Sequence, residues 1–221
     1  MRATADRRPR RLVDLTRSRP RGAQALRRAR QAMELVRAGD YGPEGVARIR
    51  DAAGGVIAVA PRKHTGSITA GLLDFLAEPG PGTARELFER LGSWAYELEE
   101  KEIGSEARAD PYERAERCFG ITRGQIERRY GDAPVLALNG LTVERVYAAR
   151  CLAEAAGWLE RAGLDDDEKR RWFCGEHPGS GSPSPLKALE GLEAMQALGL
   201  VLCKARDYRR QADLEEGPWA R

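Results

Sequence analysis

From residue 83 onward the apolar positions fall at helical spacing, and each run stops at residues that cannot continue a helix. This punctuation limits the second half of the chain to a succession of helices. Leu87, Phe88, Leu91, Ala95 and Leu98 recur at helical spacing, the period of one helix face. Thr83 is placed to cap that run, with Glu86 reaching back as a capping box. "DPYERAERCFG" opens at Asp110, carries Pro111 at its first position and closes at Gly120, the usual order of a helix's two ends. Thr122 caps the next, "RGQIERRY". After the connector "GDAPVLALNG", Thr142 opens a long helix with Val143, Val146, Tyr147, Cys151, Ala155, Trp158 and Leu159 on one face, ending near Gly163. "DDDEKRRWF" has acids at its start and bases toward its end, complementing the helix dipole. A turn-rich loop, "CGEHPGSGSPSP", leads to a last helix opened by Ser184 and Pro185 and running through Leu186, Leu189, Leu192 and Met195. The expected fold class is mainly α.

The first 80 residues carry weaker signals. Residues 1–31 hold eleven arginines and two aspartates, which reads as a flexible, solvated basic arm able to neutralise phosphates. "RRARQAMELVRAG" places Ala29, Met33, Leu35 and Val36 near one face of a short helix stopped by Gly39. "GGVIAVAPRKHTGS", residues 54–67, is a short β-branched run between glycines and a proline and reads as one strand. "AEPGPG", residues 77–82, sustains neither helix nor strand and marks a domain boundary. The expected organisation is thus a basic arm (1–31), a region without assigned role (32–80), a helix-turn-helix-like domain (81–140), a small helical domain (141–205) and a C-terminal tail (206–221).

A chain of 221 residues with 42% hydrophobic and 32% charged residues can bury a proper core. No apolar run approaches the roughly 20 residues of a membrane span. The basic N-terminus lacks the apolar stretch of a signal peptide, so a cytoplasmic setting is expected. Cys118, Cys151, Cys174 and Cys203 are widely spaced in or beside helices and read as buried small hydrophobes rather than a disulfide framework.

The corner "FGITRGQIERRYG", residues 119–131, carries the sharpest functional signal. In a helix-turn-helix the turn glycine takes the left-handed conformation, an apolar residue follows it, and another sits about six positions on, beneath the reading helix. Gly120, Ile121 and Ile126 satisfy that spacing. The position four before the turn glycine, usually small, is Glu116, with Ala115 one place off. The outer face then carries Arg123, Gln125, Arg128 and Arg129 beside Thr122, side chains suited to phosphates and purine edges in a major groove. The same corner also serves as a plain bend in helical bundles, and both readings stand.

The order of these segments resembles the Xre-MbcA-ParS family: the corner, a connector, a helix from "LTVERV", an acid-led helix ending in "RW", a proline-glycine loop and "SPLKALEGLEAM". The resemblance covers residues 84–202. Gly120, Ile121, Thr122, Ile126 and Arg129 match the family's corner, and Leu141, Val146, Trp172, Pro178, Pro185, Leu186 and Leu189 its second half. The chain departs from the family at Phe173, where leucine is usual, at Gly179, where asparagine usually follows the proline, and in a short loop between Pro178 and Pro185. The first 80 residues have no counterpart. The resemblance implies an antitoxin that neutralises a RES-type, NAD-consuming toxin by direct binding. Promoter DNA is a second expected partner, and a homo-oligomer the expected state. Of the matched residues Trp172 is a candidate for the toxin surface, although for Trp172, Leu186 and Leu189 core membership ranks first; direct contact is therefore expected from their exposed neighbours Arg171, Glu176, His177 and Lys187, and from Trp219 in the tail beyond the resemblance, an aromatic of the kind that anchors interfaces.

Other chemistry is not expected. Cys174 and His177 have the spacing of half a zinc site, but no second half exists. Glu99, Glu100 and Glu102 read as a solvated helix end. "GSGSPSP" lacks the lysine and following helix of a phosphate loop. No nucleophile, base and orienting group can be named together, so no enzyme, metal or cofactor is expected. The alternative to the antitoxin is a helical interaction or structural protein of phage or plasmid origin, without DNA binding.

Overall fold

A computed structural model describes residues 19–130, 145–191 and 194–220. Ten α-helices occur among them and no strand: α1 (Arg19–Arg37), α2 (Pro43–Ile57), α3 (Arg62–Ala77), α4 (Pro81–Glu106), α5 (Pro111–Phe119), α6 (Arg123–Tyr130), α7 (Arg145–Arg161), α8 (Asp166–Cys174), α9 (Pro185–Gly191) and α10 (Ala194–Glu215). Two helices form the spine. α4 is flanked by α1 and α3, with α2 bridging those two, while α7 packs against α5, α6, α8 and α10 and also touches α4.

The periodic runs form helices as their spacing requires. Leu87, Phe88, Leu91 and Ala95 are buried in α4, and Trp158, Leu159, Ala155 and Cys151 in α7. Each Leu- or Phe-sized side chain so buried contributes roughly 1.5–3 kcal/mol. Tyr147, expected on the same face of α7, is 37% exposed. Leu141, Thr142, Val143 and Leu192, with the side chains of Val146 and Met195, lie outside the described residues.

The first 80 residues differ most from expectation. The strand expected within 54–67 does not form. Ile49, Ala53 and Val56 continue one buried helical stripe through Gly54 and Gly55 in α2, because packing outweighs the poor helix propensity of two glycines. α1 begins at Arg19, so the second half of the expected arm is helix, held by Ala29, Ala32, Met33 and Val36 in the core. Residues 1–18 lie outside the described residues.

Residues 78–80 make a tight corner between α3 and α4, and one buried cluster runs across it from Met33 and Phe75 to Leu91. Pro81 takes the first helical position. Thr83 therefore sits inside the first turn, where its hydroxyl donates back to the carbonyls of Glu78 (2.7 Å) and Gly80 (3.2 Å) instead of forming a capping box. At the other end α10 continues to Glu215, so residues 206–215 are a packed helix rather than a tail. All four cysteines are free; Cys118 and Cys151 are buried as expected, whereas Cys174 and Cys203 are exposed.

Candidate functional site

The α5–α6 corner is built from its caps. The Asp110 carboxylate accepts the Glu113 N–H at 3.2 Å with Pro111 at the first position, and Gly120 ends α5 at φ 70°, the left-handed region that favours glycine. Thr122 and Gln125 cap α6 reciprocally: the Gln125 N–H donates to Thr122 Oγ1 (3.3 Å) and the Thr122 N–H to Gln125 Oε1 (2.8 Å). Ile126 is fully buried beneath α6 and Ile121 packs at the core's edge. Ala115 supplies the buried small residue on α5, one place earlier than the family spacing.

Thr122, Arg123, Gln125, Arg128 and Arg129 are all exposed, but they are not equally available. Gln125 is engaged in the cap. Arg123 pairs with Glu127 at 2.8 Å and lies over the Tyr112 ring, 4.9 Å from its centroid. Arg128 and Arg129 form no ion pair with another described residue. The corner is tied to the C-terminal half through Phe119, which stacks on Phe173 of α8 with centroids 4.8 Å apart.

α8 starts from a full capping box between Asp165 and Glu168 and ends at Gly175, φ 89°. Trp172 is buried, and its Nε1–H donates to the Gly179 carbonyl at 3.1 Å. That bond anchors the loop that follows. Ser180 Oγ donates to the His177 carbonyl (2.6 Å), the Gly179 N–H donates to His177 Nδ1 (3.1 Å), and Lys204 Nζ on α10 donates to the carbonyls of Ser180 (3.0 Å) and Pro183 (2.5 Å). Gly179 lies so close to Tyr208 that a Cβ there would sit 2.1 Å from the ring, so any other residue would have to displace the Tyr208 side chain. His177 meets the same ring edge-on at 5.4 Å. A groove runs between the loop and α10, lined by His177, Pro178, Gly179, Tyr208, Gln211 and Glu215.

The expected contact residues divide accordingly. Trp172 and Leu189 are core, and Leu186 packs at its edge. Arg171, Glu176 and Lys187 are exposed and His177 is half-buried. Trp219 is not free to anchor a partner: it packs on Phe88 of α4 (5.1 Å) and donates to the Leu214 carbonyl at 2.9 Å.

Two clusters escaped sequence reasoning. Glu99 is 3% exposed and pairs with Arg30 of α1, not with solvent. Beside it, Asp213 of α10 accepts from Tyr96 (2.7 Å), Arg30 (2.9 Å) and Arg209 (2.6 Å). Burial pushes the Asp213 carboxyl up, but the charge of Arg209, the Tyr96 hydroxyl and Arg30 outweigh it and hold it below its usual range. A signal for Glu99 existed: Tyr96, Glu99 and Ile103 share the inward stripe of α4. For Asp213 only Arg209, one helical turn before it, was local; Tyr96 and Arg30 lie more than a hundred residues away. The second cluster is Lys169 of α8, buried between Asp166 (2.6 Å) and the Cys118 sulfur (3.8 Å), where burial pushes the Cys118 thiol up.

No family model, curated protein or solved structure matches the chain. Among the described residues no helix is long and apolar enough to cross a membrane.

Proposed function

We propose that this protein is an antitoxin whose C-terminal helices bind and neutralise a RES-type, NAD-consuming toxin, with α6 contacting promoter DNA. The observation that carries this reading is the bond from buried Trp172 to the Gly179 carbonyl. It makes the residues of the family resemblance (Trp172, Pro178, Pro185) the frame of a fixed loop. Around that frame Arg171, Glu176 and Lys187 face solvent. A surface whose backbone is already ordered loses little entropy on binding, which suits tight occlusion of a partner's active site. At the corner, Arg128 and Arg129 are the side chains available to phosphates.

A second reading, a helical interaction or structural protein in which the corner only packs, draws support from Gln125 and Arg123, whose polar groups are taken up within the fold. Co-expression separates the two. The full chain, produced with the protein encoded by the neighbouring gene, restores growth and co-purifies with that protein if it is an antitoxin. Growth arrest that persists despite soluble full-length chain contradicts the antitoxin reading.

A further inference from the structure

Charge is segregated along the chain. Residues 1–63 hold 16 basic and 6 acidic residues, a net +10, so the remaining residues of this +3 chain carry −7. Part of the positive half is consumed by the fold: Arg30 and Arg37 pair with Glu99, Asp213 and Glu216, and Arg48 with Asp40. Arg27, Arg28 and Arg62 are different. All three are exposed and none forms an ion pair with a described residue.

Arg27 and Arg28 are adjacent cations on α1. Arg62 is unfavourably placed for the protein alone: it is in the first turn of α3, which has no acidic residue and no side-chain cap, so a cation faces the positive end of the helix dipole, where a charge of this sign is disfavoured. A shallow cleft brings these elements together: Gln24, Ala25 and Arg28 of α1 line it with Val59 of the α2–α3 corner, three residues before Arg62. Val59 is 44% exposed, an apolar surface within a basic rim.

We propose that this edge, formed by α1 and the start of α3, is a sequence-independent binding surface for the phosphate backbone of duplex DNA. Unpaired guanidiniums bind phosphate oxygens bidentately, and six further arginines in residues 1–18 add to the same end of the chain. The cleft has no aromatic lining residue on which single-stranded bases stack. An anionic membrane fits less well, because the apolar residues of α1 (Ala29, Ala32, Met33, Val36) point into the core and leave no greasy face to insert. The edge is separate from α6 and from the toxin surface, and does not depend on either assignment.

The test uses the full chain and a fluorescent duplex of arbitrary sequence, with anisotropy read across a salt series. Replacing Arg27, Arg28 and Arg62 with alanine lowers affinity about tenfold or more at low salt and flattens the log–log salt slope by about 2, as expected when two to three phosphate contacts are lost. The control removes three exposed cations that sit in ion pairs: Arg85→Ala, Lys101→Ala and Arg170→Ala. It changes net charge equally and keeps most of the affinity. Circular dichroism verifies that both variants are folded. The proposal is overturned if the edge variant retains the parent's affinity and slope, if the control loses as much, or if the chain binds phosphatidylserine vesicles but not the duplex.

Discussion

At the scale of single residues, the side chain with most consequence for stability is Asp213. It is 3% exposed and holds Tyr96, Arg30 and Arg209 in one network. Asp213→Asn keeps the shape but leaves buried Arg209 without its counter-charge and Arg30 with Glu99 alone, a loss of about 3 kcal/mol. The pH dependence follows from the depressed carboxyl. A folded pKa below the unfolded value gives stability that is complete above the unfolded value, about 4, and is lost as pH falls through the lower folded value. Urea denaturation at neutral pH separates the variant from the parent, and the gap narrows as the pH is taken below about 4. Equal stabilities at neutral pH would show the network to be energetically idle.

At the scale of elements, legibility followed period and capping. α5, α6 and α8 were readable because Asp110, Thr122 and Asp165 cap them with their own side chains and Gly120 and Gly175 end α5 and α8 at positive φ. α2 was misread because a short apolar run does not distinguish strand from helix, and its packing against α1 and α3 decides. The end of α10 is illegible for a different reason: residues 206–215 are largely polar in sequence, and Asp213, like Trp219 just beyond the helix, gains its meaning against α1 and α4. The loop's anchor on Trp172 was legible in its residues but not in its hydrogen bonds. Ending the chain at residue 205 therefore removes the Asp213 network and the Trp219–Phe88 contact, about 5 kcal/mol together, against the 5–15 kcal/mol total of ordinary domains. Thermal melting followed by circular dichroism should show a loss of the cooperative transition or a large fall in Tm. A melt within a few degrees of the parent's would mean that α10 is dispensable beyond residue 205.

Across the whole molecule, one buried cluster links the N-terminal helices, the corner and the C-terminal helices, while the charge divides between a basic N-terminal part and an acidic remainder. Phe119 on Phe173 joins the corner to the half that carries the exposed loop, so both candidate surfaces stand on the same rigid support. Neutralisation of the toxin is the central claim, and it places the contact on side chains that the fold does not use. Arg171, Glu176 and Lys187 are exposed around the Trp172-anchored loop; Lys187 pairs with no described residue, and Arg171 has only a distant carboxylate at 3.9 Å. The most direct measurement is the growth of cells producing the product of the neighbouring gene, as the proposed toxin, with the full chain carrying Arg171→Glu, Glu176→Lys and Lys187→Glu. The prediction is a folded chain, by circular dichroism, that no longer restores growth or co-purifies with the toxin while the parent does both; rescue by the variant equal to that by the parent would contradict it.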